Sequence, residues 1–299
     1  MMGNSSKYSL DEYIQNLIRE GEQIKSTDQL ISYLENFLFQ EFNKIFFIED
    51  TFHPLIFING TVTPILDKMK NPLVLGMPAK MDVRYIEYKD NDYYLVTCPF
   101  HLLNFQLIES KDPNFPTCKV KIKSDKKIFR KKISKKIVQT IYLKLKLLIM
   151  SYSLGFLEGI QKATVQHAHN RKSNNISLIS HNNISYQLAN NLIQISKLKA
   201  VLTNCNELIY AGCMNSMAEN ILMYLNDQTH QIVIDSAMQI FGAQSLKAGT
   251  LPAIGIKRSL VLRGMTDNKT VITDRIKSDL LKKAPLKRRS KNIYSFGGI

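Results

Sequence analysis

Between Pro116 and Pro252 the chain has no proline, although nine occur among its 299 residues. Proline inside a helix removes a hydrogen bond and clashes with the preceding turn. Almost half of the sequence thus lacks the residue that most often ends helices, and its apolar residues recur there at i, i+3 and i+4. The spacing predicts helices over Ile137 to about Asn170, Ile184 to about Cys205, Glu207 to Leu225 and His230 to Phe241. Four helices, each with an apolar stripe to bury, pack most economically as a four-helix bundle.

The prolines are concentrated upstream. Seven fall between Ile48 and Ile122, among short runs rich in Val, Ile, Tyr and Phe, which is a β texture. Candidate strands are Leu55 to Ile58, Leu73 to Leu75, Val83 to Tyr88, Tyr93 to Thr97 and Phe105 to Ile108, with Asp90-Asn91-Asp92 as a hairpin turn. A small barrel or curved sheet would hold them. Ahead of this segment, Ser9-Leu10-Asp11-Glu12 reads as a capping box that opens a helix ending near Gly21. A second helix starts near Thr27 or Asp28 and runs toward Phe46.

The expected fold is mainly α with a small β segment: short N-terminal helices, a β-barrel-like middle and a C-terminal four-helix bundle. The expected divisions are 1–47, 48–125, 126–282 and a basic tail, 283–299.

The formal charge of +15 is local. Residues 116–146 hold twelve Lys and Arg against Asp125 alone, and residues 282–291 hold six with no acid, which leaves the rest of the chain slightly acidic. The first patch reads as a solvated linker face or an anion site, suited to coenzyme A phosphates or an acidic carrier protein. Nucleic-acid binding has only these two patches in its favour, with Phe129 and Tyr142 as the sole aromatics near the first, so base stacking is poorly served. No run of 18 apolar residues occurs and the N-terminus is polar, which argues against a membrane span or export and for a cytoplasmic address. Cys98, Cys118, Cys205 and Cys213 form no Cys-x-x-Cys pair, so neither structural zinc nor a disulfide framework is expected.

Three stretches, read in order over roughly residues 137–276, resemble the acyl-CoA dehydrogenase family. Leu154-Gly155-Phe156-Leu157-Glu158-Gly159-Ile160 through His167-Ala168-His169-Asn170-Arg171-Lys172 is similar to the family's long helix and the arginine at its end. Ser180-His181-Asn182-Asn183-Ile184 and Tyr186-Gln187-Leu188-Ala189 follow Arg171 at the family's spacing. Asp235-Ser236-Ala237-Met238-Gln239-Ile240-Phe241-Gly242-Ala243 looks like the family's Ala-x-Gln-Ile-x-Gly-Gly, with Pro252 and Arg258 beyond.

The resemblance implies FAD, with contacts at Arg171, Ser173, Asn182, Gln239, Gly242 and Ala243, and an acyl thioester of coenzyme A or acyl carrier protein as substrate. It also implies a homo- or hetero-oligomer through the bundle, because the family builds its FAD site from two chains. A guanidinium at a helix end suits a pyrophosphate in any case, since its planar fork of donors matches phosphate oxygens.

The pattern departs from the family at several positions. Asn174 and Asn175 stand where the family has Phe and Gly, and Ala243 stands for the second Gly. The family's catalytic glutamate falls on Asp267 when counted forward from Arg258, or on Gly264 when Arg263-Gly264-Met265-Thr266 is aligned instead. Aspartate is one methylene shorter, about 1.5 Å less reach, and a misplacement of about 1 Å can cost roughly 100-fold in rate. Two functional readings follow: a flavin-dependent dehydrogenase with Asp267 as base, or a non-catalytic subunit that partners an intact homologue.

Overall fold

The computed structural model describes residues 9–23, 28–46, 53–58, 62–63, 65–66, 72–76, 80–108, 116–123, 128–265 and 269–283. Helix α1 (Leu10–Gln23) opens on the expected capping box: the Ser9 amide donates to Glu12 Oε2 at 2.6 Å and the Glu12 amide to Ser9 Oγ at 3.2 Å. Helix α2 (Asp28–Phe46) buries Leu30, Leu34, Leu38 and Phe42, the i, i+4 stripe of its sequence.

Ten short strands follow: β1 (His53–Pro54), β2 (Ile56–Ile58), β3 (Val62–Thr63), β4 (Ile65–Leu66), β5 (Leu73–Leu75), β6 (Val83–Lys89), β7 (Asp92–Cys98), β8 (Leu103–Ile108), β9 (Thr117–Ile122) and β10 (Phe129–Ile133). They form two five-stranded sheets. One runs β1-β6-β7-β10 with β4 also on β6, and the other runs β3-β2-β5-β9-β8. Among the described residues neither sheet closes into a barrel. The predicted hairpin is present but one residue tighter: Lys89 pairs with Asp92, and Asp90 and Asn91 turn the chain at φ 51° and 66°, the left-handed values a two-residue turn needs.

The first basic segment is not a linker along its described length. Its alternating apolar residues place it in β9, where Cys118 and Val120 are buried while Lys119 and Lys121 face out, and in β10, which pairs with β7.

Helix α3 (Lys135–Asn170) is the axis of the molecule. It is long and apolar enough to cross a membrane, but 78% of its most apolar stretch is buried inside the protein, as befits a central core helix. Helix α1 lies against it backbone to backbone. A Cβ on Gly155 would sit 1.9 Å from the Ile18 carbonyl oxygen, and one on Gly21 would sit 2.3 Å from the Tyr152 carbonyl oxygen. Gly21, two residues before the end of α1, allows this close approach.

After a short hairpin, β11 (Lys172–Ser173) and β12 (Ile176–Ser177), come α4 (Asn182–Tyr210), α5 (Ser216–Phe241), α6 (Leu251–Gly264) and α7 (Lys269–Lys283). Two predicted helix ends are corrected. The chain stays helical through Cys205, and the break comes at Gly212, whose φ of 66° suits glycine. The Asn215 side chain then caps α5 by accepting from the Ala218 amide, and α5 continues to Phe241 as one helix instead of two. The fourth bundle helix is α6, which carries Pro252 in its first turn, where the missing N–H costs nothing.

Within the bundle a polar network joins α3, α5 and α6. Ser153 Oγ donates to Asn226 Oδ1 at 2.6 Å and meets His230 Nε2, while His230 Nδ1 lies 2.9 Å from Ser259 Oγ. With the Ser153 proton on Asn226, the imidazole donates from Nε2 and accepts at Nδ1, so its neutral form is satisfied in the core. Burial, and then the Arg263 charge, push its pKa down to about 3.

Candidate cofactor site

The C-terminal ends of α3 and α5 and the N-terminal end of α4 meet at one end of the bundle. Arg171 follows the last turn of α3, with its amide donating to the His167 carbonyl at 2.9 Å and its own carbonyl accepting from Leu178 at 2.8 Å. These two bonds fix the backbone, and the residue is exposed. The hairpin behind it turns at Asn174 and Asn175, with φ 51° and 61°, while Ser173 pairs with Ile176. Asparagine tolerates the left-handed region better than other non-glycine residues. The loss of the family's Phe and Gly at these positions therefore coincides with a two-residue turn that the asparagines suit.

The His167 imidazole stacks on the Phe241 ring at 3.9 Å and 13°, which joins the last turn of α3 to the last turn of α5. Burial, and then the nearby Arg171 charge, lower the His167 pKa. Gln187 on α4 donates to Gln239 Oε1 on α5 at 3.3 Å. Deeper in, Asn191 Nδ2 donates to Gln161 Oε1 at 3.1 Å and to Ser236 Oγ at 2.9 Å, so one amide links three helices. Small apolar contacts among Ala168, Leu188 and Ile240 fill the space between them.

This arrangement gathers most of the sequence-predicted site residues. Arg171, Gln239, Gly242 and Ala243 lie on the converging ends of α3 and α5, with Ser173 in the hairpin and Asn182 at the first turn of α4, all exposed. Gly242 ends α5 at φ 57°, with its amide returned to the Met238 and Gln239 carbonyls. No atom lies within 4 Å of where its Cβ would be, so its need for glycine is conformational. The other candidate, Asp267, lies outside the described residues, and its alternative Gly264 is the exposed last residue of α6.

Lys269, the first residue of α7, lies toward the other end of α5. Lys269 Nζ sits 5.6 Å from the Tyr224 ring centroid, and Tyr224 precedes Gly242 by eighteen residues on α5. At 1.5 Å of rise per residue the two points are about 27 Å apart. Near Tyr224 the structure also shows a pair that sequence reading missed. Lys146 on α3, with 5% of its side chain exposed, is bonded to Glu219 on α5 at 2.6 Å and lies over the Tyr142 ring. Only the lysine's position in an otherwise apolar run hinted at it.

Against this geometry, residues 138–268 match the family described as acyl-CoA dehydrogenase, C-terminal domain. The chain has the acyl-CoA dehydrogenase fold. It superposes on an acyl-CoA dehydrogenase from Slackia heliotrinireducens with a TM-score of 0.66 and 12% identity, over 93% of this chain and 82% of that one. A glutaryl-coenzyme A dehydrogenase in complex with glutaryl-CoA gives a TM-score of 0.68 and 11% identity, over 97% and 85%. A glutaryl-CoA dehydrogenase from Mycobacterium smegmatis in complex with FADH2 gives 0.59 and 11%, over 75% and 62%. No curated protein sequence matches the chain.

FAD fits the bundle end on the chemistry of its donors. Two buried polar atoms there, His181 Nε2 and Gln187 Oε1, have no hydrogen-bond partner within the protein. Buried polar groups are costly unless paired. With the Arg171, Ser173, Asn182 and Gln239 side chains of the same end, they supply the kinds of donor and acceptor that a pyrophosphate and an adenosine take.

Proposed function

We propose that the chain is an acyl-CoA dehydrogenase-like flavoprotein subunit whose bundle end holds the pyrophosphate and adenosine end of FAD through Arg171, Ser173, Asn182, Gln239, Gly242 and Ala243. The observation that carries this reading is the convergence of the ends of α3 and α5. Arg171, at the end of α3, converges with Gly242, at the end of α5, through the stacked His167 and Phe241. In an oligomer formed through the bundle, Arg171 reaches the cofactor of a neighbouring subunit.

Bound FAD supplies the hydride acceptor for α,β-dehydrogenation of an acyl thioester, carried on coenzyme A or an acyl carrier protein. The chain's own part is to orient the thioester and remove the α-proton, and Asp267 is its candidate base. The missing methylene favours a second reading in which the subunit pairs with an intact homologue and contributes Arg171 without turning over substrate itself.

Anaerobic addition of acyl-CoA to the FAD-loaded protein separates the two. Bleaching of the flavin band by wild type but not by Asp267→Ala supports a working dehydrogenase. A flavin band that acyl-CoA leaves unchanged in wild type, but bleaches in Asp267→Glu, supports the partner subunit.

A further inference from the structure

At the other end of α3, about 50 Å from Arg171 by helical rise, two adjoining cavities of about 420 and 460 Å³ share Glu41 and Lys44 as common walls. Together they form a groove between α1, α2, β10 and the first turns of α3. Its floor is apolar, with Phe37, Ile45, Ile137 and Ile141 in its lining, and Ile137 is 42% exposed there despite its size. Its rim is basic. Lys44, Lys131, Lys132 and Lys144 line it against one carboxylate, Glu41.

The charges are unevenly matched. Glu41 accepts from Lys44 at 2.6 Å and lies 3.6 Å from Lys144, so one carboxylate serves two ammonium groups. Lys144 is held with 23% of its side chain exposed, next to apolar walls. Lys132 is engaged by Asp92, and Lys131 donates to the Ile45 carbonyl at 2.8 Å. The groove therefore offers surplus positive charge at its rim and desolvated hydrocarbon below, within the roughly 300–1,000 Å³ that small-molecule sites occupy.

We propose that this groove binds a linear amphiphile with an anionic head, an alkyl carboxylate or an alkyl phosphate. The chain lies along Ile45, Ile137 and Ile141, and the head sits between Lys44 and Lys144. The site is separate from the bundle end and does not depend on flavin binding. Glu41 is the built-in competitor: it holds both lysines in the free protein, and an entering anion shares them.

Calorimetric titration of the full chain without flavin, using dodecanoate, dodecyl phosphate and dodecanol below their aggregation limits, tests the proposal. Saturable binding of either anion, at least about tenfold tighter than dodecanol, is expected from charge-assisted bonding to the lysines. Preference between the two anions identifies the head group. Lys144→Gln weakens the anion by about tenfold and leaves dodecanol unchanged, while Glu41→Gln, which releases both lysines, tightens the anion by about threefold or more. The second variant gains binding, an effect that misfolding does not produce. Absence of saturable anion binding, equal binding of dodecanol, or anion affinity indifferent to Glu41→Gln would each overturn the proposal.

Discussion

The imidazole of His167 lies flat on the ring of Phe241, with centroids 3.9 Å apart and planes 13° from parallel. This contact joins the end of α3, where Arg171 emerges, to the end of α5, where Gly242 turns the chain. Stacked aromatic pairs contribute about 0.5–1.5 kcal/mol beyond the area they bury. Phe241→Leu keeps the apolar volume and loses the stacking, so it should lower stability by about that amount in urea denaturation. The same variant should weaken FAD binding more than its stability change predicts.

Two glycines let helix α1 pack against α3 at backbone distance, beside the buried side chains of Tyr13, Ile14 and Leu17. A methyl group on Gly155 would fall 1.9 Å from a backbone oxygen, which cannot move without shifting the whole helix. Gly155→Ala should destabilise by at least about 3 kcal/mol, the upper end of ordinary overpacking costs. Gly264→Ala, where a methyl group meets nothing within 4 Å, should be within about 0.5 kcal/mol of wild type by the same assay.

His230 makes stability depend on pH in a defined window. Its folded pKa is depressed to about 3, first by burial and then by Arg263, against an ordinary value of 6.5. Above pH 6.5 both folded and unfolded chains hold it neutral and it contributes no slope. As pH falls from 6.5 toward 3 the unfolded chain takes up a proton that the folded one refuses, so stability falls by up to about 1.4 kcal/mol per pH unit from this group. Urea midpoints measured between pH 7 and 4.5 should therefore drop steeply in wild type. In His230→Gln the profile should be flatter by about one proton.

The local signals in the sequence translated well into structure. The Ser9 and Glu12 capping box formed both of its bonds, and Asp90-Asn91 turned a hairpin, because each depends on residues close in the chain. The long helices were legible from the missing prolines. The break between α4 and α5 was not, since apolar spacing runs on through Cys205 and only Gly212 marks the stop.

The site was partly legible. The order of Arg171, Gln239 and Gly242 could be read along the chain, but the His167 and Phe241 contact and the Gln187 and Gln239 bond exist only once three helices converge. Asn174 and Asn175 looked like losses from a motif, yet their positive φ values show a turn they are suited to make. Gly21 and Lys146 gave no sequence sign of their partners, because Gly155 and Glu219 are remote in the chain.

The grip of the bundle end on FAD through Arg171 is measured by titrating the purified protein with FAD and following the visible flavin band. Wild type should bind FAD saturably and stoichiometrically, and Arg171→Ala should lose about tenfold or more in affinity, because a charge-assisted fork to the pyrophosphate is removed. No flavin binding under any condition, or identical titrations for wild type and Arg171→Ala, would contradict it.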